Sequence, residues 1–304
     1  MRITRNRKER TLFIDQAQYI EEVLSKCGVI KSKHKPVSIP ISGYEHIRPA
    51  TDKDKRADKQ EYQQRVGALM WAAIHTRPDI AWALGALSRF LSDSAEHHAQ
   101  ALKTLLRYLR SNTDMGIMYG GKERVKPEDQ TLKIYSDADW ASDKETRKST
   151  GAEVCTFYEG PIFWTSKRQR SVATSSTESE YMTMAAMSKQ SQWIAQMLRD
   201  MGHGNVIGDN PYCVDIIGDN QGALALVKNP HLHERSKHID ICYHYIRDLH
   251  ATGKVQVSYI PTSEMKADGL TKPLSRPKFQ EFTRMIGMAG TSANNKSSPE
   301  DSGS

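Results

Sequence analysis

Four carboxylates in the C-terminal half of the chain have the types and the order that a two-metal phosphodiesterase needs. They are Asp137, Glu180, Asp219 and Asp268, in the segments KIYSDADW, TSSTESEYM, DIIGDNQGA and EMKADGLTK. Carboxylate oxygens hold Mg²⁺, and a pair of such ions activates water and stabilises the leaving oxygen of a phosphodiester. Because the four residues are far apart in sequence, they can meet only in a folded α/β domain. The sequence therefore predicts a site for two Mg²⁺ ions, with Mn²⁺ as a substitute.

The first position has two candidates, Asp137 and Asp139. Side chains alternate between the two faces of a strand, so these two residues share a face. Alternation therefore leaves both of them open.

The second position also has two candidates, and helix phase separates them. At about 100° per residue, positions 180, 184, 187, 191, 194, 198 and 201 form a stripe roughly 100° wide, while Glu178 points about 160° away from Glu180. The stripe is mostly apolar and is expected to face the sheet. Glu178 also has a structural role available, because Ser175-Ser176-Thr177-Glu178 matches a capping box. The phase therefore predicts Glu180 as the ligand.

Each of the last two acids, taken alone, could have a structural or surface role instead of binding a metal. Asp219 follows the apolar run at 214–217 and precedes a helical pattern, so it could serve only as an N-cap. Asp268, considered in isolation, would be a surface residue.

Composition sets broad limits on the class of protein. The chain has 304 residues and a formal net charge of +7, enough length for one large or two ordinary domains and a modest lean towards a polyanionic partner. No apolar run approaches the length of a membrane span, and MRITRNRKER lacks the apolar core of a signal peptide. The widely spaced cysteines, which form no CxxC pair, are Cys27, Cys155, Cys213 and Cys242. They predict free thiols in a cytosolic or nuclear protein that is not secreted.

Helical patterns dominate the region before about residue 120. They cover 15–28, 59–75, 78–92 and 94–111. The charge-dense residues 1–12 are interpreted as a solvated terminus. No catalytic constellation is visible in this half.

After about residue 120 the pattern changes to alternating strands and helices. Three strand-like runs come first, followed by a helix over about 176–202, a buried strand, two helices, a further strand and a last short helix from about 262. The order β-β-β-α-β-α-α-β-α predicts an α/β domain with a mixed sheet flanked by helices. From Ser275 onward the chain becomes polar, and the segment TSANNKSSPEDSGS is predicted to be disordered.

Two groups of sequence blocks resemble the C-terminal part of Ty1/copia-type retrotransposon Pol polyproteins. The blocks similar to the stretch between reverse transcriptase and its ribonuclease H domain are YQQRVGALMWAAIHTRPDIAWALGALSRF and HHAQALKTLLRYLRSNTDMGIMY. The blocks similar to the ribonuclease H domain are YSDADWASDKETRKSTGAEV, WTSKRQRSVATSSTESEYM, GDNQGALALVKNP, RSKHIDICYHYIRD and ADGLTKPL. The polymerase core, protease and integrase blocks are missing, so the chain is interpreted as a fragment or a truncated element copy.

The resemblance implies three parts. Residues 1–119 would be a helical remnant of the reverse transcriptase thumb and connection. Residues 120–275 would form a ribonuclease H-like domain with a mixed five-stranded sheet flanked by helices. Residues 276–304 would be a mostly disordered C-terminal tail.

The resemblance also implies an activity and its partners. The chain would be a magnesium-dependent endoribonuclease that cleaves the RNA strand of RNA–DNA hybrids, recognised by shape and 2′-hydroxyls more than by sequence. Its partner would be the polymerase domain of the same polyprotein, with no membrane, in a cytoplasmic virus-like particle or the nucleus. The alternative is a catalytically weak or vestigial nucleic-acid-binding fragment. A recombinase on the same fold is disfavoured by the glutamate in second position.

The family pattern assigns roles to individual residues of this chain. It favours Asp137 over Asp139, gives Asp219 a metal role through DNQGA, and is almost the whole basis for Asp268. Apart from the family pattern, Lys167, Arg168 and Arg170 form a cationic cluster just before the Glu180 helix, where they are expected to contact phosphates, with a solvated turn as the equal alternative. Further candidates for contacts with phosphates or 2′-hydroxyls are Ser175, Ser176 and Asn220.

Overall fold

The computed structural model describes residues 1–29, 35–44, 47–121, 130–229 and 245–290. The chain forms two compact units. The first unit consists of Met1–Lys122 and Pro273–Ser304, and the second unit is Glu123–Lys272. The segment that follows the second unit thus belongs to the first unit instead of forming a part of its own.

The elements of the described residues are nine strands and eight α-helices. The strands are β1 (Arg2–Asn6), β2 (Thr11–Asp15), β3 (Met115–Gly120), β4 (Lys133–Asp139), β5 (Thr150–Phe157), β6 (Gly160–Arg168), β7 (Val214–Gly218), β8 (Val255–Tyr259) and β9 (Met288–Gly290). The helices are α1 (Ala17–Lys26), α2 (Lys59–His75), α3 (Ala81–Ser88), α4 (Glu96–Ser111), α5 (Ser176–Asp200), α6 (Gln221–Lys228), α7 (Tyr245–Ala251) and α8 (Arg276–Met285). None of these described helices combines the length and the apolar character needed to cross a membrane.

The first unit is more than a set of helices. It contains a four-stranded antiparallel sheet in the order β1-β2-β3-β9. The basic residues 1–12, expected to be a solvated terminus, form β1 and the start of β2, with Arg2 opposite Asp15. The charged residues of β1 are solvent-exposed, as expected, but the segment also forms a strand that the sequence did not predict. The strand signal lies in β2, which buries Phe13 and Asp15 on one face.

The expected disordered tail is also corrected. Residues 276–290 form α8 and β9, and α8 buries Phe279 and Phe282. β9 pairs with β3, with Met288 opposite Ile117. The polar composition of the last residues concealed these few apolar positions, which are what order this stretch. Residues 291–304 lie outside the described residues, as does Cys242.

The second unit contains a five-stranded sheet in the order β6-β5-β4-β7-β8. β4 pairs antiparallel with β5 and parallel with β7, β5 pairs antiparallel with β6, and β7 pairs parallel with β8. The predicted α/β class and the predicted mixed sheet of five strands are therefore confirmed.

The core of the second unit lies between this sheet and the helices that cover one face. Its buried members include Ile134, Ile216 and Val257 of the sheet and Met184, Met187 and Ile194 of α5. Burial of each such side chain contributes roughly 1.5–3 kcal/mol. The buried face of α5 was predicted to extend to position 201. It ends earlier than that, since the Met201 side chain is 59% exposed.

Two glycines of the first unit should respond in opposite ways to alanine. A Cβ on Gly116 would lie 2.9 Å from Cβ of Asp15 and would clash with the carbonyl oxygen of Ile14, whereas a Cβ on Gly67 in α2 would meet nothing within 4 Å. We expect Gly116→Ala to lower the free energy of unfolding by about 1–3 kcal/mol. Gly67→Ala should raise it by about 0.5–1 kcal/mol. Urea unfolding of both variants measures this, and equal effects would contradict the register of β2 and β3.

Candidate metal centre

Three of the four predicted acids meet in space. One carboxylate oxygen from each of Asp137, Glu180 and Asp219 lies within 4.8 Å of the other two. Asp137 is on β4, and Asp219 directly follows β7. Because β4 and β7 are parallel neighbours, their carboxyl ends lie at the same edge of the sheet. Glu180 reaches this edge from the second turn of α5, and the three residues are called the acid cluster below.

The structure separates Asp137 from Asp139, which the sequence could not do. Asp137 is buried, and Thr271 Oγ1 donates a hydrogen bond of 3.1 Å to its Oδ2. Asp139 is half-buried and is not in the acid cluster. Both residues share a face, as predicted, so the difference comes from position along the strand.

Glu178 and Glu180 are both buried, at 8% and 5% exposure, so burial does not distinguish them. Their contacts do. Ser175 is the N-cap of α5 and accepts a hydrogen bond from the Glu178 N–H, as the capping box predicts. Glu178 Oε2 in turn accepts hydrogen bonds from the N–H and the hydroxyl of Thr174, at 2.7 and 2.6 Å. Glu178 therefore holds the start of α5, and Glu180 is the glutamate in the acid cluster.

Asp268 lies beside the acid cluster and not in the set of three that the described residues form. It begins a short 3-10 turn, Asp268–Leu270, where a last helix was expected. Lys272 Nζ lies 2.5 Å from Asp268 Oδ1. The negative charge of Asp268 nevertheless acts on Asp137, because it helps to raise the pKa of the Asp137 carboxyl.

Burial and like charge set the electrostatics of the site. Burial, followed by the nearby charges of Asp219 and Asp268, raises the pKa of Asp137 to about 6. Burial and the charges of Asp137 and Asp219 also raise the pKa of Glu180 well above its ordinary value. Each of these carboxyl groups therefore resists ionisation while its neighbours are ionised.

The donor set fits a divalent cation. Glu180 Oε2 is buried and has no hydrogen-bond partner among the described residues. Such an atom is unfavourable unless something else satisfies it. All the donors are hard oxygens, the kind that Mg²⁺ and Mn²⁺ prefer. A cation at this place would satisfy the orphaned oxygen and offset the repulsion between the carboxylates.

The six residues expected to contact nucleic acid divide by what they already bind. Lys167, Arg168 and Arg170 are exposed, and Arg168 forms an ion pair of 2.6 Å with Asp143. Lys167 and Arg170 are thus the less committed cations on this side of the sheet.

The polar candidates include two helix caps. Ser175 caps α5, and Asn220 caps α6 by accepting the Ala223 N–H at 3.0 Å. Ser176 is exposed in the first turn of α5. The hydroxyl hydrogens of the serines and the amide hydrogens of Asn220 can still be donated.

Sequence reasoning missed two residues at this site, Thr271 and Lys272. Thr271 donates to Asp137, and Lys272 pairs with Asp268. The spacing of Asp268 and Lys272, four residues apart in KADGLTK, was the available signal for the ion pair. Sequence reasoning also missed Glu153 on β5. Burial raises the pKa of its carboxyl group to about 7, although the Thr165 hydroxyl donates a hydrogen bond to that group.

Comparison with known proteins finds retrovirus-related Pol polyproteins among the relatives of the chain. No protein-family model matches the chain. The chain is 39% identical over 293 residues to the retrovirus-related Pol polyprotein from transposon TNT 1-94 of Nicotiana tabacum, covering 95% of this chain and 21% of that protein. It is 39% identical over 277 residues to the retrovirus-related Pol polyprotein from transposon RE1 of Arabidopsis thaliana, covering 91% and 18%. The chain thus spans about a fifth of the length of the curated relatives it matches.

Among solved structures, the chain is similar to LC11-RNase H1, which was isolated from compost. The match has 17% sequence identity and a TM-score of 0.33, and it covers 47% of this chain and 93% of that one.

The acid cluster predicts how stability of the metal-free protein depends on pH. The folded-state pKa of Asp137 is about 6, above its unfolded value of about 3.9. Between these two pKa values the folded protein therefore binds more protons than the unfolded chain. Its free energy of unfolding falls as the pH rises through this range. We expect the melting temperature in EDTA to fall from pH 4.5 to pH 7, and Mg²⁺ to restore it at pH 7.

Two matched variants test the cause of this pH dependence. Glu180→Gln removes a buried carboxyl group whose ionisation is opposed by burial and by the charges of Asp137 and Asp219, so its melting temperature should fall less with pH and should respond less to Mg²⁺. Glu178→Gln keeps the acid cluster and should shift stability by at most about 1 kcal/mol at every pH. A wild-type melting temperature that does not change with pH would contradict the electrostatic account.

Proposed function

Because the chain belongs to the retrovirus-related Pol polyproteins of copia-type transposons, we propose that its second unit hydrolyses the RNA strand of RNA–DNA hybrids. The observation that carries this proposal is the convergence of Asp137, Glu180 and Asp219 at the carboxyl edge of β4 and β7. A buried set of carboxylates with an orphaned oxygen is unfavourable for stability alone, and it suits a site for divalent cations. The proposed products are an RNA with a 3′-hydroxyl and one with a 5′-phosphate.

Asp137, Glu180, Asp219 and Asp268 are proposed to hold two Mg²⁺ ions, with Mn²⁺ as a substitute. When bound, the ions would activate water and stabilise charge on the leaving oxygen. The protein side chains set where this happens. Thr271 helps to orient Asp137 by donating a hydrogen bond to its Oδ2. Lys272 pairs with the Asp268 carboxylate and would supply a positive charge beside a phosphate bound at this site.

Recognition of the hybrid is proposed to rest on cations and donors near the same edge of the sheet. Lys167 on β6 is opposite Gly151, which is opposite Ala138, the residue after Asp137. Lys167, Arg168 and Arg170 would contact phosphates, while Ser175, Ser176 and Asn220 would donate to phosphates or 2′-hydroxyls. The relatives are several times longer than this chain, and the polymerase domain of the same polyprotein is the proposed partner. On this proposal, 1–119 correspond to the thumb and connection.

Removal of one acid should abolish cleavage. We expect Asp219→Asn to lower the rate of hybrid cleavage in Mg²⁺ by more than about 100-fold, because the site loses a charged ligand. The matched control is Asp209→Asn, which changes an exposed acid ten residues before Asp219. This variant should cleave like wild type. The assay follows a labelled RNA strand in an RNA–DNA hybrid, with duplex DNA and EDTA as further controls.

The outcomes of this assay distinguish an active hybrid nuclease from a vestigial nucleic-acid-binding fragment. Cleavage in EDTA, or equal cleavage of duplex DNA, would contradict the proposal. A folded chain that binds hybrid but shows no turnover would identify a vestigial nucleic-acid-binding fragment.

Affinity for the hybrid should depend on salt through particular cations. Each phosphate contact releases counterions, so loss of one cation should reduce the magnitude of the slope of log affinity against log salt by about 0.9. We expect this for Lys167→Gln and for Arg170→Gln, and a smaller change for Arg168→Gln because Asp143 already pairs with Arg168. Lys254→Gln is the control, since Lys254 is exposed at the opposite end of the parallel strands, just before β8. Fluorescence anisotropy in EDTA measures these slopes, and four identical slopes would refute the assignment.

A further inference from the structure

The segment 265–272, which carries Asp268, crosses one face of the sheet and is tied to it on both sides of that residue. On the far side, Ser166 Oγ donates a hydrogen bond of 2.6 Å to the Leu270 carbonyl, and Thr271 donates to Asp137. Ser166 and Asp137 lie in one cross-strand row, both opposite Ala152 of β5. The residues after Asp268 are therefore fixed directly by the row of the sheet that carries the acid cluster.

On the N-terminal side of Asp268, Lys266 is the residue of this segment whose side chain has described polar contacts. Lys266 is 9% exposed, and its Nζ lies 2.9 Å from Glu159 Oε2 and 5.5 Å from the ring centre of Tyr135. Tyr135 precedes Asp137 by two residues on β4 and shares its face. Glu159 lies in the turn between β5 and β6. These three residues, Lys266, Glu159 and Tyr135, are called the lysine clamp below.

The turn that presents Glu159 has an unfavourable backbone. Tyr158 and Glu159 have φ values of 48° and 63°, in the left-handed region that side chains other than Asn and Gly rarely adopt. They are the two central residues of a tight hairpin, since Phe157 pairs with Gly160. Hairpins of this kind favour Asn-Gly at these positions. The chain thus keeps a strained pair of residues at the place from which Glu159 reaches Lys266.

A role in stability alone does not account for this arrangement. A largely buried ion pair loses much of its attraction to desolvation, and an apolar residue at 266 with a relaxed turn would avoid both penalties. Residues held in strained conformations cluster where geometry matters for function. The position that the clamp fixes is that of Asp268, two residues along the chain.

We propose that Lys266 is a positioning residue for the metal centre: through Glu159 and Tyr135 it fixes the 265–272 segment so that Asp268 can serve the second divalent cation. The proposal rests on the proposed metal-dependent function. It assigns the turn between β5 and β6 a role in positioning one of the proposed metal ligands. Asp137, Glu180 and Asp219 would still gather one cation without the clamp, because the polar partners described for Lys266 are Glu159 and Tyr135. Loss of the clamp should therefore weaken one of two metal sites.

The test uses the full chain and Mn²⁺, with free Mn²⁺ measured by electron paramagnetic resonance in the absence of hybrid. The main variant is the double substitution Tyr158→Asn with Glu159→Gly, which relaxes the turn and removes the clamp. We expect its melting temperature in EDTA to equal or exceed that of wild type, while the affinity of the weaker Mn²⁺ site falls about tenfold. Lys266→Met should lose the same affinity, and Lys266→Arg should retain most of it. Lys254→Met, an exposed control, should bind Mn²⁺ like wild type.

The outcomes decide the proposal without reference to cleavage. A stabilised turn variant that binds two Mn²⁺ ions as tightly as wild type would overturn it, since a purely structural clamp predicts that result. If the double variant does not fold, Lys266→Met and Lys266→Arg give the same comparison, and equal Mn²⁺ binding by both would overturn the proposal. If wild type binds two Mn²⁺ ions with this dependence on Lys266 but cleaves no hybrid, the proposed function fails while the clamp stands.

Discussion

Repulsion between buried carboxylates is the interaction on which the second unit depends. Asp137, Glu180 and Asp219 lie close together, burial and nearby negative charges raise the pKa of Asp137 and of Glu180, and one oxygen of Glu180 has no hydrogen bond among the described residues. Left to themselves these groups would separate into water, because isolated charges in a low-dielectric interior are strongly unfavourable. The fold must therefore supply enough favourable packing elsewhere to hold them together.

The packing that does so lies in the core directly beneath the acid cluster. Ile134 and Ile216 pair across β4 and β7, and α5 buries Met184 and Met187 against them. Each acid is thus attached to an element fixed by apolar contacts within a few residues of it. Gly218, the residue before Asp219, faces the end of the Met184 side chain, so a larger residue there would require the Met184 side chain to shift.

The parts of this arrangement that depend on short-range pattern were accessible from the sequence. Glycine and turn residues mark the ends of β4, β5 and β6, and the apolar stripe of α5 gives the phase that distinguishes Glu180 from Glu178. The choice between Asp137 and Asp139 was not accessible in this way, because both lie on one face. It depends on Thr271, a residue far along the chain whose contact no local pattern encodes. The resemblance to copia-type elements supplied the choice in its place.

The first unit shows the converse limit. Its sheet takes β1 and β2 from one end of the chain and β9 from near the other, so the pairings of β2 with β3 and of β3 with β9 are nonlocal. Local composition described these segments as a charged terminus and a polar tail, and neither description can reveal a partner strand far away in sequence. The ion pair of Lys266 with Glu159 is nonlocal in the same sense.

These nonlocal ties give the short segment 265–272 its importance. Lys266 is anchored to a hairpin turn, Leu270 to β6 and Thr271 to Asp137, and the second unit ends at Lys272, the partner of Asp268. A 3-10 turn of three residues has too few internal hydrogen bonds to fix a carboxylate by itself. The geometry of Asp268 therefore depends on its neighbours on each side, and this dependence is the physical basis for the proposed positioning role of Lys266.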